Sequence, residues 1–271
     1  MKHALWTLPL LLAPIALAQV SKPPPITKVG DVYLTRTQIA VPGMPAQVTA
    51  AVTASFFRST SSLAAPLTRE VCGVQEGGDG PLGLTSVPSN ASPVEAPTFL
   101  DAGTPLVLRA GSKGYAQLKR TRQGSRISYV STVPTLPAPP PGLVLDIPGA
   151  PGGFPAFKGV EVPPSDLPRL TVPTRDEDVT PSTTFRWSNP THDANTTVLL
   201  MGMQEDPELV VSCLVRDDGT FSFPPEVVAQ LKAKGFTSGM LTGVGRTSGR
   251  TYRSGDAALS VRNFVLALGE R

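Results

Sequence analysis

Leu209-Val210-Val211-Ser212-Cys213-Leu214-Val215-Arg216, then Asp217-Asp218-Gly219, then Thr220-Phe221-Ser222-Phe223 sets two β-forming runs on either side of a turn. Alternating β-branched and aromatic residues bounded by Asp-Gly predict a hairpin, because Gly supplies the positive φ that such a turn needs. Pro225 to Lys234 follows as the one helix of the chain. Pro sits early, Glu226 lies in the first turn, Lys232 and Lys234 lie in the last, and Gly235 follows as a C-terminal stop.

Outward from this stretch, short strand-like segments recur. Upstream lie Thr183 to Trp187 and Asn195 to Gly202; downstream lie Met240 to Arg246, Arg250 to Arg253 and Ala258 to Leu268. In the first half, Val32 to Ile39 and Gln47 to Phe57 read as strands. Thr104 to Arg109, Tyr115 to Arg120 and Arg126 to Thr132 read as a meander, and Leu143 to Ile147 as a further strand. Gly73 to Pro97, rich in Gly, Pro, Ser and Asn, reads as loop. With 30 Pro and 25 Gly in 271 residues, long helices are disfavoured; 40% hydrophobic residues suffice for a core. The expected fold is all-β: two β-sandwich domains in tandem, Ig-like or fibronectin-like, with one short helix in the second.

The N-terminus carries an export pattern. Met1-Lys2-His3 is basic and Ala4 to Ala18 is apolar. Ala16-Leu17-Ala18 offers the small residues read by a signal peptidase, so residues 1–18 are expected to be a signal peptide. Pro9 and Pro14 interrupt that run, which is too short for a membrane span, and no later segment is apolar enough. The expected organisation is an extended leader over 19–29, a first domain over 30–155, a Pro/Gly-rich connector over 156–175 and a second domain over 176–271.

The order of Trp187, the Cys213 to Pro224 segment, a short helix and a Gly-rich hairpin resembles uncharacterised exported bacterial proteins with tandem β-sandwich domains. Asp101-Ala102-Gly103, Tyr129, Ile147-Pro148-Gly149 and Phe154-Pro155-Ala156-Phe157 fit the same layout. The resemblance implies an envelope or extracellular location and no assigned activity, and it carries over no functional residues.

Few residues suit catalysis. His192 is the one His beyond the signal, in a polar loop without an evident nucleophile beside it. The acidic runs Asp176-Glu177-Asp178, Glu205-Asp206 and Asp217-Asp218 lack EF-hand spacing. Gly152-Gly153 and Gly243-Val244-Gly245 lack the context of a phosphate loop. No catalytic residue, metal site or cofactor is assigned, and Trp187 reads as a core anchor.

Two features remain as candidates. Cys72 and Cys213 read equally as a disulfide, worth at most roughly 5 kcal/mol for so long a loop, or as two buried thiols. Lys119, Arg120, Arg122 and Arg126 on a hairpin, with Arg246, Arg250 and Arg253, form a candidate surface for an anionic partner. With a net charge of only +3, solubility and edge protection are the simpler reading of such residues. The expected function is an exported, envelope-associated or extracellular binding or structural protein, not an enzyme. Its expected partner is an envelope protein or surface polymer and not intracellular nucleic acid. A secreted hydrolase using a carboxylate pair and a carrier of small apolar ligands are the alternatives. Periplasm, cell surface and extracellular space fit equally well.

Overall fold

The structure, a computed structural model, describes residues 24–39, 46–58, 70–76, 97–133, 136–174 and 177–268. The expected signal peptide and residues 19–23 of the leader lie outside the described residues. The first half supplies β1 (Lys28–Ile39), β2 (Gln47–Arg58), β3 (Val71–Glu76), β4 (Thr98–Phe99) and β5 (Leu106–Ala110). It continues with β6 (Lys113–Gln123), β7 (Arg126–Ser131), β8 (Leu143–Ile147) and β9 (Phe157–Glu161). The second supplies β10 (Leu170–Val172), β11 (Thr184–Trp187), β12 (Thr196–Gln204), β13 (Leu209–Arg216), β14 (Thr220–Ser222), α1 (Pro225–Ala233), β15 (Met240–Ser254) and β16 (Ala257–Leu268). Among the described residues the predominance of strands and the one helix agree with the sequence.

The halves are not laid end to end. One sheet runs β3-β13-β12-β15-β16-β1-β2-β7-β6-β5-β8-β9, with β4 on the side of β2; β10, β11 and β14 form a second, small sheet. Strand β1 pairs in parallel with β16, Lys28 opposite Ala257 through to Ile39 opposite Leu268. Strand β3 leaves the first half to pair with β13. The inner face of the large sheet carries two apolar cores. One gathers β1, β2 and β5 to β9 with Ala257, Leu259 and Val261 of β16. The other lies between β12, β13 and β15 and the small sheet with α1, around Trp187, Phe185, Phe221 and Leu231. Strands β15 and β16 serve both cores, and a large sheet is present without two separate tandem sandwiches being shown. The expected connector, 156–175, contains β9 and β10, and Phe157, Val160 and Val162 belong to the first core.

The predicted hairpin at Asp217-Asp218-Gly219 is a corner instead. Strand β13 stays in the large sheet, while β14 pairs with β11 in the small one. The physical reason is Asp217, whose side chain points inward. Its Oδ1 accepts from Trp187 Nε1 at 2.7 Å, and its Oδ2 accepts from the Thr191 amide and hydroxyl at 2.9 and 2.7 Å. Those bonds draw the chain across the core rather than back along β13. Gly219, at φ 98°, provides the bend.

Sheet closure in the first half uses charge. Glu161 on β9 pairs with Arg250 on β15, and its carbonyl accepts from Tyr252 Oη at 2.7 Å, so the β9 edge curls back to β15. Close loop packing holds the base of this core. Gly103, at φ 76°, sits where an added Cβ would lie 2.3 Å from the Gly149 carbonyl oxygen. Beside it Tyr129 Oη receives the Ala102 amide at 2.7 Å and donates to Asp101 Oδ1 at 2.7 Å. The Asp101, Tyr129, Gly149 and Phe154 motifs therefore converge in space. Cys72 and Cys213 face each other in register across β3 and β13 and form a disulfide, which resolves the two readings in favour of the bridge.

Candidate functional site: the outer sheet face

The inner face has a polar seam between its cores, and most of the seam meets partners within the chain, Asn263 Oδ1 being buried without one. Arg246, 2% exposed, pairs with the equally buried Asp217: Nε lies 3.0 Å from Oδ2 and Nη2 3.1 Å from Oδ1. Nη2 also donates to the Asn189 carbonyl at 2.7 Å and Nη1 to the Asp166 carbonyl at 3.1 Å. Asn263 Nδ2 donates to the Pro163 carbonyl at 2.9 Å, and Ser165 Oγ to the Arg246 carbonyl at 3.1 Å. The segment 163–169 is thereby strapped onto β15 and β16, across the join of the two cores. A buried guanidinium must be paired in this way, since leaving it alone in a low dielectric would cost several kcal/mol.

Arg246 is therefore removed from the anionic-partner surface expected from the sequence. It lies on the inner face because it follows Val244 by two residues on a strand, and side chains alternate with period two. Arg120 is committed to Asp101 and Arg250 to Glu161. Arg253 donates to the Pro24 carbonyl. Lys119, Arg122 and Arg126 stand exposed on the β6–β7 hairpin. The seven cations thus divide among the buried seam (Arg246), the far part of β15 (Arg250 and Arg253) and one hairpin, and do not converge on one patch. His192 is exposed on a loop, with φ 55° and its amide donating to the Asp217 carbonyl at 2.9 Å. It borders a groove of about 420 Å³ with Asp193, Thr197, Arg216 and Asp218.

The opposite face of the same sheet differs. Its side chains are fixed by register. One row crosses six strands: Thr121, Ser128, Ser55, Asp31, Ser260 and Thr251. The next holds Lys119, Val130, Thr53, Tyr33 and Arg262. A third holds Ala51, Thr35, Phe264, Thr247 and Thr197. Farther along, Leu199, Met201 and Leu266 form a small buried cluster flanked by Phe264 and Leu268. Gly245 makes room for it, since a Cβ there would lie 3.0 Å from Phe264 Cε2 and 2.8 Å from the Val265 carbonyl oxygen. Of the seven large hydrophobics exposed among the described residues, five (Tyr33, Ile39, Val71, Val130 and Met240) belong to this face by register.

Within it, Asp31, Tyr33 and Arg262 form a group. Arg262 Nη1 donates to Tyr33 Oη at 3.0 Å, and its guanidinium carbon lies 5.3 Å from the ring centroid, a cation–π distance. Asp31 is half-buried between Ser55 and Ser260 and takes no hydrogen bond within the described chain. Burial pushes its carboxyl above the usual range, and the nearby positive charge of Arg262 opposes that rise. Burial likewise raises the Tyr33 phenol. The arrangement offers an acceptor, an aromatic ring, a guanidinium and rows of hydroxyls on one face. The basic hairpin was visible in the sequence, but Asp31 and Tyr33 were not singled out. Their signal was the alternation of Asp31-Val32-Tyr33-Leu34, which separates two faces without saying which one lacks a cover.

Comparison with protein-family models, with curated proteins and with solved structures gives no match. The disulfide agrees with an exported protein. Among the described residues no helix is long and apolar enough to cross a membrane.

Proposed function

We propose that this protein is an exported binding or structural module of the cell envelope or extracellular space, and that it engages its partner through the outer face of the large sheet. The supporting observation is the row that sets exposed Tyr33 and Val130 on either side of Thr53, beside a row of hydroxyls, with Ile39, Val71 and Met240 elsewhere on the same face. Exposed apolar side chains gathered on one surface mark interaction sites more often than singly scattered ones do. The N-terminal export pattern and the resemblance to exported tandem β-sandwich proteins support the location.

The test is site-specific photo-crosslinking in intact producer cells. A crosslinking residue at Tyr33, Val71 or Val130 is expected to give a discrete adduct with an envelope component. The same residue at Lys158, exposed on β9, is expected to give none. A protein that stays free and unmodified from all three outer positions overturns the proposal.

A further inference from the structure

We infer that the outer face is a glycan-binding platform for a linear, neutral, hydroxyl-rich polysaccharide, with Asp31, Tyr33 and Arg262 at its centre. This rests on the binding reading of that face and adds the chemical class of the partner. The argument begins with Asp31. A half-buried carboxylate has several acceptor positions and calls for donors. Here the described chain gives it none, although Ser55 and Ser260 stand beside it in register. Among the described residues no group of three metal-binding side chains forms, so a cation held by clustered carboxylates is not the complement. The complement is a neutral molecule rich in O–H groups, because vicinal hydroxyls can donate in pairs to one carboxylate.

The neighbours fit the same partner. Tyr33 is 37% exposed, and aromatic rings pack against the C–H faces of sugars while their polar edges stay wet. Arg262 lies over one side of that ring and donates to its hydroxyl and to Ser260 Oγ. A sugar would use the other side, while the rest of the guanidinium offers donors to its oxygens. The hydroxyl row through Asp31 crosses six strands, so at about 4.8 Å per strand it extends roughly 24 Å. That length suits several sugar units and not a single one. An anionic polymer fits less well, since Asp31 lies in the middle of the row and Lys119 and Arg126 stand at one end of the face. Arg122, opposite Ile127 of the first core, belongs to the other side of the sheet.

The test is a depletion assay with the full exported chain against amorphous cellulose, chitin, a soluble β-1,3-glucan and dextran. Binding to at least one is expected. It should weaken at least tenfold in Asp31→Ala and in Tyr33→Ala, and stay unchanged in Lys158→Ala. A thermal melt identifies any variant that fails to fold, and Thr53→Lys, an exposed change on the adjacent row, then replaces it. No depletion by any of the four glycans overturns the inference, as does depletion indifferent to these substitutions. The two readings separate cleanly. Glycan failure with a protein adduct from position 33 leaves the binding face and removes the polysaccharide, whereas loss of both results removes both.

Discussion

The two faces of one sheet use polar residues in opposite ways. On the inner face Arg246 and Asp217 are buried together, with Trp187, Thr191, Asn189 and Asp166 supplying their remaining contacts. On the outer face Asp31 is half-buried and its nearest cation, Arg262, is engaged with Tyr33 instead. Burial without a partner is costly, so an inner polar group has to be matched by the fold itself. An outer group can leave its match to another molecule. The contrast separates residues that hold the structure from residues available for work.

Breaking the inner pair is the strongest way to test that division. Asp217→Ala should destabilise the protein by about 4 kcal/mol, because it strands Arg246 in the interior. Chemical denaturation measures the loss, and a paired Arg246→Met change should recover part of it. If Asp217→Ala costs less than about 1 kcal/mol, the inner face does not depend on its seam. Replacing both Cys72 and Cys213 by Ser comes next, at about 3 kcal/mol by the same measurement. The disulfide adds a covalent tie to the β3–β13 ladder and the Glu76–Lys234 pair that hold β3, an edge strand with Val71 exposed, to the second core.

A subtler contrast is in pH. Burial raises Asp101, but hydrogen bonds from Tyr129 and the Gly103 amide, with the Arg120 guanidinium, outweigh it and hold its carboxyl below the usual range. A depressed carboxyl stabilises the fold above its unfolded value, near pH 4, and that stability is lost as pH falls through the lower folded value. Asp101→Asn should therefore flatten the acid side of a stability-against-pH curve. Asp31 has the opposite shift, so it opposes folding at neutral pH, and Asp31→Asn should raise stability slightly there. The smallest effect is expected at Tyr33→Ala, within about 0.5 kcal/mol of the parent protein by thermal melting. A large loss there would mean that Tyr33 belongs to the structural side of the division.

Much of this was legible in the sequence, and what was not has a common cause. The meander of β5, β6 and β7, strand β8 and helix α1 all stand close to where periodicity, turn residues and capping placed them. These are local decisions. The errors are decisions made between distant parts of the chain. Gly73 read as loop because nothing nearby shows that β13 would accept Cys72 and its neighbours as a strand. Asp217-Asp218-Gly219 has the local chemistry of a hairpin, but Trp187 and Arg246, thirty and twenty-nine residues away, turn it into a corner. Arg246 resembled the other cations of β15, and only the second core beneath that strand shows that it faces inward. The candidate site was hidden for the same reason. Asp31 and Tyr33 sit in an ordinary alternating strand, and their exposure is set by which face the other half of the chain covers.

The parallel pairing of β1 with β16 has a consequence for how the molecule comes into being. Lys28 meets Ala257 along a ladder that needs residues from both extremes of the described chain. Such contacts are of high order, and they give slow, late-closing folding. The first core takes Ala257, Leu259 and Val261 from β16, so it stays open until nearly all of the sequence has been delivered. A chain threaded across a membrane from its N-terminus would thus reach the far side before it could close on itself. Topology alone would keep it translocation-ready.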